Sequence, residues 1–180
     1  MKHHILDFRE LLIEEHSKHQ VLKIVNNVGD DQARFDKLFA ILIADENRIG
    51  QRASWAVNYC VQQHPFFLKP YYPSLIKMLE NPSHVAIKRN ILRMLQFVDI
   101  PGKWQGTLYQ KCAVFLSSTG ESIAVRCFSM QVLYNISVGT SELESELREL
   151  LIDAKDLEAP GLRARARNLL RRLNKSSSPD

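Results

Sequence analysis

Four arginines stand at one interval: Arg52, Arg89, Arg126 and Arg163 follow one another at steps of 37 residues. A guanidinium keeps its charge at every physiological pH and presents a planar fork of donors, so such a row suits two chemistries. Each arginine can bond to a carboxylate or carbonyl in a turn between elements and so fix how the elements stack. Alternatively the row lies open to solvent and receives an anionic partner. Trp55 and Tyr59 follow Arg52 at i+3 and i+7, Arg93 follows Arg89 at i+4, and Arg167 follows Arg163 at i+4. These spacings keep residues on one side of a helix. Trp55 reads either as a residue at the edge of the core or as an aromatic anchor for a partner, with Arg52 in cation–π reach of its indole. The candidate partner-binding set is Arg52, Trp55, Tyr59, Arg89, Arg93, Arg126, Arg163 and Arg167.

Other site chemistry finds less support. His16 and His19, beside Glu14 and Glu15, lack a third positioned ligand, so no metal is expected. The seven glycines are scattered rather than gathered in a phosphate-cradling loop, and no Ser/His/Asp set or paired carboxylates can be argued. The expectation is a non-enzyme without a cofactor. Cys60, Cys112 and Cys127 are an odd number with no C-x-x-C spacing, and they read as small buried apolar residues in a reducing compartment. Met1-Lys2-His3-His4 leads into acidic residues instead of an apolar signal segment, so a cytoplasmic location is expected. The longest apolar run, Leu38 to Ala44, falls far short of the roughly 18–20 residues that cross a bilayer, and no membrane partner is expected.

At 180 residues, 45% hydrophobic and 24% charged, the chain has the composition of one folded domain, and its net charge of +4 does not by itself call for a polyanion. The charge is unevenly spread. Arg163, Arg165, Arg167, Arg171, Arg172 and Lys175 crowd one segment, and Lys88, Arg89 and Arg93 another. The first cluster reads as a phosphate-binding patch or as the counterpart of Glu142, Glu144, Glu146, Glu149 and Asp153 in the segment before it.

The elements that must position these residues follow from the same 37-residue step, which also links Leu42, Leu79 and Leu116, and then Phe35, Tyr72 and Tyr109. Three residue types keeping one period mark a structural repeat. Residues 1–29 do not follow it: the stripes Ile5, Phe8, Leu11, Leu12 and Val21, Leu22, Val25, Val28, stopped by Gly29, predict two short helices forming an atypical cap. Residues 30–174 then predict four helix pairs. Asp30-Asp31 opens the first, Phe35, Leu38, Phe39 and Leu42 line its outer helix, Asp45-Glu46-Asn47 is the turn, and Ile49, Ala53, Ala56, Val57 and Cys60 line the inner helix up to His64-Pro65. The second pair has Pro70 and Pro73 at its start, Leu75, Ile76 and Leu79 outside, Asn81-Pro82-Ser83 as turn, and Ile87, Ile91, Leu92, Leu95 and Val98 inside. The third has Trp104, Leu108, Cys112, Phe115 and Leu116 outside, a turn over 117–120, and Val125, Phe128, Val132, Leu133 and Ile136 inside. The fourth joins an acidic helix over 141–154 to a basic one over 161–173, with Leu162, Ala166, Leu169, Leu170 and Leu173 as the buried face of the latter. The serine-rich tail 175–180 is expected to be disordered. No segment alternates with period two, so the expected fold is all-α, about ten helices in antiparallel pairs forming a single domain over 1–175.

The inner helices carry an acidic or turn residue followed about five positions later by an apolar residue and arginine: Glu121 to Val125-Arg126 and Glu158 to Leu162-Arg163, with Lys88-Arg89 and Gln51-Arg52 as looser copies. Over residues 30 to 173 this resembles HEAT repeats, the armadillo-type helix pairs, and small bacterial HEAT-like proteins in particular. The resemblance implies a right-handed α-solenoid whose second helices line the concave side, with the four arginines along or just beneath that surface. The regular basic and aromatic face of the inner helices, without catalytic groups, gives the functional expectation: a non-enzymatic interaction or scaffold module whose concave face docks an acidic segment of a partner protein. A nucleic-acid partner is the alternative, through similarity to HEAT-like DNA alkylation-repair glycosylases. That family also uses an aspartate beside aromatics in its cleft; Trp55 and Tyr59 match the aromatics, but the nearest inner-helix acid is Asp99 in the next pair, so base excision is not expected.

Overall fold

The computed structural model describes residues 7–44, 48–82, 85–155 and 159–176. Ile5, the turn Asp45-Glu46-Asn47, Ser83, Glu158 and residues 177–180 lie outside them. The described residues form ten α-helices and one 3-10 helix, with no strand among them. The chain divides into two compact units, Met1–Val98 and Asp99–Asp180.

In the first unit short polar side chains set the starts of the first three helices. Asp7 accepts from the Arg9 N–H at 2.8 Å ahead of α1 (Phe8–Glu14), and the Ser17 hydroxyl accepts from the Gln20 N–H at 3.1 Å ahead of α2 (Lys18–Val28). Gly29 stops α2 at φ +57°, a conformation costly for any side chain, with its N–H bonded to Val25 O at 2.9 Å. Asp31 then accepts from the Ala33 and Arg34 N–H groups at 2.8 and 3.1 Å and opens α3 (Gln32–Ala44). After it come α4 (Arg48–Gln63), α5 (Tyr72–Glu80) and α6 (Val85–Leu95).

Between α4 and α5 lies a 3-10 helix, Pro65–Tyr71, that the helical periodicity does not anticipate. Pro65 fits the first position of either kind of helix, but Pro70, at the sixth, has no N–H to bond four residues back, so an α-helix cannot run through it. It seals the core: the Phe67 and Phe35 rings stack at 4.5 Å, and Tyr71 lies over Phe39 while its hydroxyl donates to Asp36. Burial, with Asp36 beside it, holds the Tyr71 hydroxyl above its usual pKa.

Helix α4 packs against α2 and α6 on its flanks and α3 behind, and α1 packs on α3, so α2, α4 and α6 form one layer over another made of α1, α3, the 3-10 helix and α5. The α4–α6 joint is polar as well as apolar. Asn90 donates to the Ser54 hydroxyl at 2.7 Å, Ser54 donates to Gln51 O at 2.7 Å, and the Asn58 amide donates to Asn90 O at 3.3 Å, all three side chains being buried. Directional bonds inside an otherwise apolar joint specify register. Asn90→Ala is expected to lower stability by about 1–2 kcal/mol, the worth of a buried hydrogen bond plus the space left behind, in a urea denaturation series.

The second unit comprises α7 (Gly102–Ser117), α8 (Ile123–Ser137), α9 (Ser141–Lys155) and α10 (Pro160–Ser176). Ser122 caps α8 through the Val125 N–H at 3.3 Å. Helix α8 packs on α7, α9 and α10, and α7 also packs on α9, giving an α7/α9 layer and an α8/α10 layer. Two expectations need correcting. Helix α10 continues through Lys175 and Ser176, so those two residues are not part of a loose tail. Trp104, Phe115, Phe128 and Leu170, expected in the core, are half-buried, while Arg126, expected at the edge of the apolar stripe, is 9% exposed. Neighbours on three sides of α8 turn a wider arc of it inward than the apolar stripe alone requires.

All three cysteines are free thiols. Cys60 and Cys112 are buried and their thiols are pushed up to about 12 by desolvation, which suits the packing role expected of them. Cys127 is half-buried and also raised by burial, an effect that Arg165 and Arg126 oppose.

Candidate partner-binding face

Within each unit the charge is partitioned by layer. None of the 20 Asp and Glu residues lies on α2, α4, α6, α8 or α10, whereas those five helices carry fourteen of the 24 Lys and Arg residues. All carboxylates belong to the other helices of each unit, the connections and the ends. Asp99 is a case in point: α6 stops at Leu95, so Asp99 sits in the following connection and not on an inner helix as expected.

In the first unit the solvent side of the α2/α4/α6 layer is built from helical stripes. On α4 the buried positions Ala53, Ala56, Val57, Cys60 and Val61 leave Arg52, Trp55, Tyr59 and Gln62 half-exposed on the opposite side. On α6 the burial of Ile87, Ile91, Leu92 and Leu95 leaves Arg89 exposed and Arg93 half-exposed. Lys23 on α2 is exposed as well. The Arg89 and Arg93 guanidiniums make no hydrogen bond or ion pair among the described residues.

Arg52 differs. Its Nη1 donates to Leu12 O at 2.6 Å and Ile13 O at 3.1 Å, while Gln20 Nε2 donates to Leu11 O at 2.8 Å. Together they satisfy carbonyls at the C-terminal end of α1 that have no partner inside the helix, and the cation also complements the negative end of its dipole. The neighbouring Trp55 lies against the His16 ring, with centroids 5.4 Å apart and planes at 36°, which holds the indole in place with part of its surface open. His16 thus supports an aromatic residue. Among the described residues no group of three His, Cys, Asp or Glu side chains is placed to hold a metal.

In the second unit Arg126 is buried and its Nε donates to Leu116 O at 2.8 Å, in the last turn of α7. It lines a cleft of about 190 Å³ together with Leu150, Asp153 and Ala154 of α9. Arg163 is half-buried and Arg167 exposed on α10. The 37-residue step therefore preserves residue type without preserving surroundings: Arg52 and Arg126 are tied to helix ends, and Arg89 is open. Of the eight sequence-selected residues, five belong to the first unit, where α4 and α6 bring Arg52, Trp55, Tyr59, Arg89 and Arg93 onto adjoining helices. Arg126, Arg163 and Arg167 belong to the second.

Sequence inspection missed Lys23 and Gln62 on this face and the Ser54, Asn58, Asn90 joint beneath it. The polar residues Ser54 and Asn58, i and i+4 on the apolar side of α4, were the legible signal for the joint. On the far side of the same unit, Ile43, Met78, Pro82 and Ile87 line a cleft of about 310 Å³ with Lys77 and Ser74 on its wall.

No helix among the described residues is long and apolar enough to cross a membrane. A family model described as a HEAT repeat domain matches residues 8–173. No curated protein and no solved structure matches the chain.

Proposed function

The chain belongs to the HEAT repeat family, whose repeats generally mediate protein–protein interaction or scaffolding, and on that premise we propose that it is a non-enzymatic interaction module docking an acidic segment of a partner protein. The docking face is the solvent side of α4 and α6 in the first unit. The observation that carries the reading is a layer of three neighbouring helices, α2, α4 and α6, without a single carboxylate, with Lys23, Arg89 and Arg93 on the two helices that flank α4 and the half-exposed rings of Trp55 and Tyr59 on α4 itself. Cations around a central aromatic pair supply what a short acidic segment needs: long-range attraction from the charges and a desolvated anchor from the rings. Arg52 contributes by holding α1 against α4, and Arg126 contributes to the α7–α8 pair, so neither serves as a docking cation.

A display selection from random peptides tests this. The retained sequences are expected to be enriched in Asp and Glu next to an apolar residue and depleted in Lys and Arg. Retained sequences with no charge bias would count against the reading. No Asp or Glu lies on α4 or α6 beside Trp55 and Tyr59, so base excision gains no support.

A further inference from the structure

The second unit carries a different charged surface. Helix α10 holds Arg163, Arg165, Arg167, Arg171, Arg172 and Lys175 within 17 residues, and neither it nor α8 beside it bears a carboxylate. Leu162, Ala166, Leu169 and Leu173 are buried, which leaves Arg167, Asn168, Arg171, Arg172 and Lys175 exposed along the other side. Arg167, Arg171 and Lys175 recur every four residues, so their stems are spaced about 6 Å apart along a straight, rigid rod. Two further cations are oriented by the protein itself: the Arg172 guanidinium lies over the Tyr134 ring at 4.2 Å, and Arg165 Nη1 donates to Gln131 Oε1 at 3.1 Å. The acidic helix α9 packs on α10, yet among the described residues no carboxylate is ion-paired with Arg165, Arg167, Arg171 or Lys175.

We propose that the exposed side of α10 is a docking surface for duplex DNA, held through its phosphate backbone without base readout. Three features favour this partner. Five of the six cations are arginines, whose planar fork matches phosphate oxygens better than an ammonium does. The row is rigid and continuous, as is the phosphate row of a duplex, whose charge density of about one per 1.7 Å exceeds that of an acidic peptide. A single strand would call for a series of rings on which to stack, and the α8/α10 layer offers only the half-buried Phe128 beside the covered Tyr134. Between duplexes, an α-helix about 10–12 Å across is commensurate with the roughly 12 Å major groove of B-form DNA, whereas the deep, narrow groove of A-form RNA excludes it.

Fluorescence anisotropy of the full chain with a labelled DNA duplex of two helical turns, titrated across salt, is the test. Four phosphate contacts give a log–log slope of about −3.6, so affinity drops roughly 10²-fold between about 50 and 200 mM salt. A second duplex of unrelated sequence is expected to bind within about twofold. Arg167→Gln, Arg171→Gln makes the slope shallower by about 2, and Arg167→Lys, Arg171→Lys restores it, with unchanged circular dichroism in both. Absence of binding at low salt overturns the inference. So does a wild-type slope in the glutamine variant, or tighter binding of an RNA duplex, a single strand or an acidic peptide to this helix. Because the acidic-segment face lies in the other unit, Arg89→Glu, Arg93→Glu is expected to leave the DNA slope unchanged, and either surface can fail without the other.

Discussion

Arg126→Ala is expected to lower the unfolding free energy by about 3 kcal/mol, whereas Arg89→Ala leaves it within ~0.5 kcal/mol. The two arginines stand at the same position of the repeat, 37 residues apart, and are the same residue type. Their environments set the difference. Arg126 is 9% exposed, and its Nε bond to Leu116 O, at 2.8 Å, satisfies a carbonyl in the last turn of α7. Truncation removes a charge-assisted bond, leaves that carbonyl without its partner in a buried place and opens space between α7 and α9. Arg89 projects from the solvent side of α6, and alanine is at least as good a helix former there. Arg126→Met, which keeps much of the apolar stem and drops the donor, should recover part of the loss. Urea denaturation of the three variants checks the ordering. Equal, small losses at both arginines would show that the Leu116 bond contributes nothing to the α7–α8 pair.

The second large effect is on binding. Arg89→Glu, Arg93→Glu reverses two neighbouring cations on α6 without touching a buried group, so the fold is expected to remain while affinity for an acidic peptide falls on the order of 10²-fold. The decrease should appear mainly in the association rate and shrink as salt rises, because attraction between exposed charges is screened beyond about 10 Å at 0.1 M. Stopped-flow binding at two salt concentrations separates this from a loss of packing, which would raise the dissociation rate and ignore salt.

The helix pairs were legible in the sequence because each buries one stripe at helical spacing and ends in a recognisable stop. Phe35, Leu38, Phe39 and Leu42 are all buried as their spacing requires, and Gly29 and His64-Pro65 end helices where expected. The 3-10 helix over Pro65–Tyr71 was not legible, since its prolines signal only where an α-helix cannot run and its core contacts come from Phe35 and Phe39, some thirty residues earlier. The site was legible by residue type and not by surroundings. The arginine period identified four positions, but how far each helix is rotated about its axis depends on how many neighbours enclose it. Helix α8, enclosed by α7, α9 and α10, buries Arg126 and leaves Phe128 half-buried; α6 leaves Arg89 in solvent. Likewise, Arg52 reaches back to α1 and not to the end of α3 in its own pair, a contact of the cap that no periodic rule encodes.

The central claim is that the carboxylate-free α4/α6 face recognises an acidic segment through Arg89 and Arg93. A charge-swap titration tests it most directly: a selected acidic peptide and its Glu→Lys counterpart are each titrated against the wild-type chain and against Arg89→Glu, Arg93→Glu. Wild type should bind the acidic peptide and reject the basic one, and the variant should reverse that preference. An acidic peptide that binds both proteins equally would contradict the account.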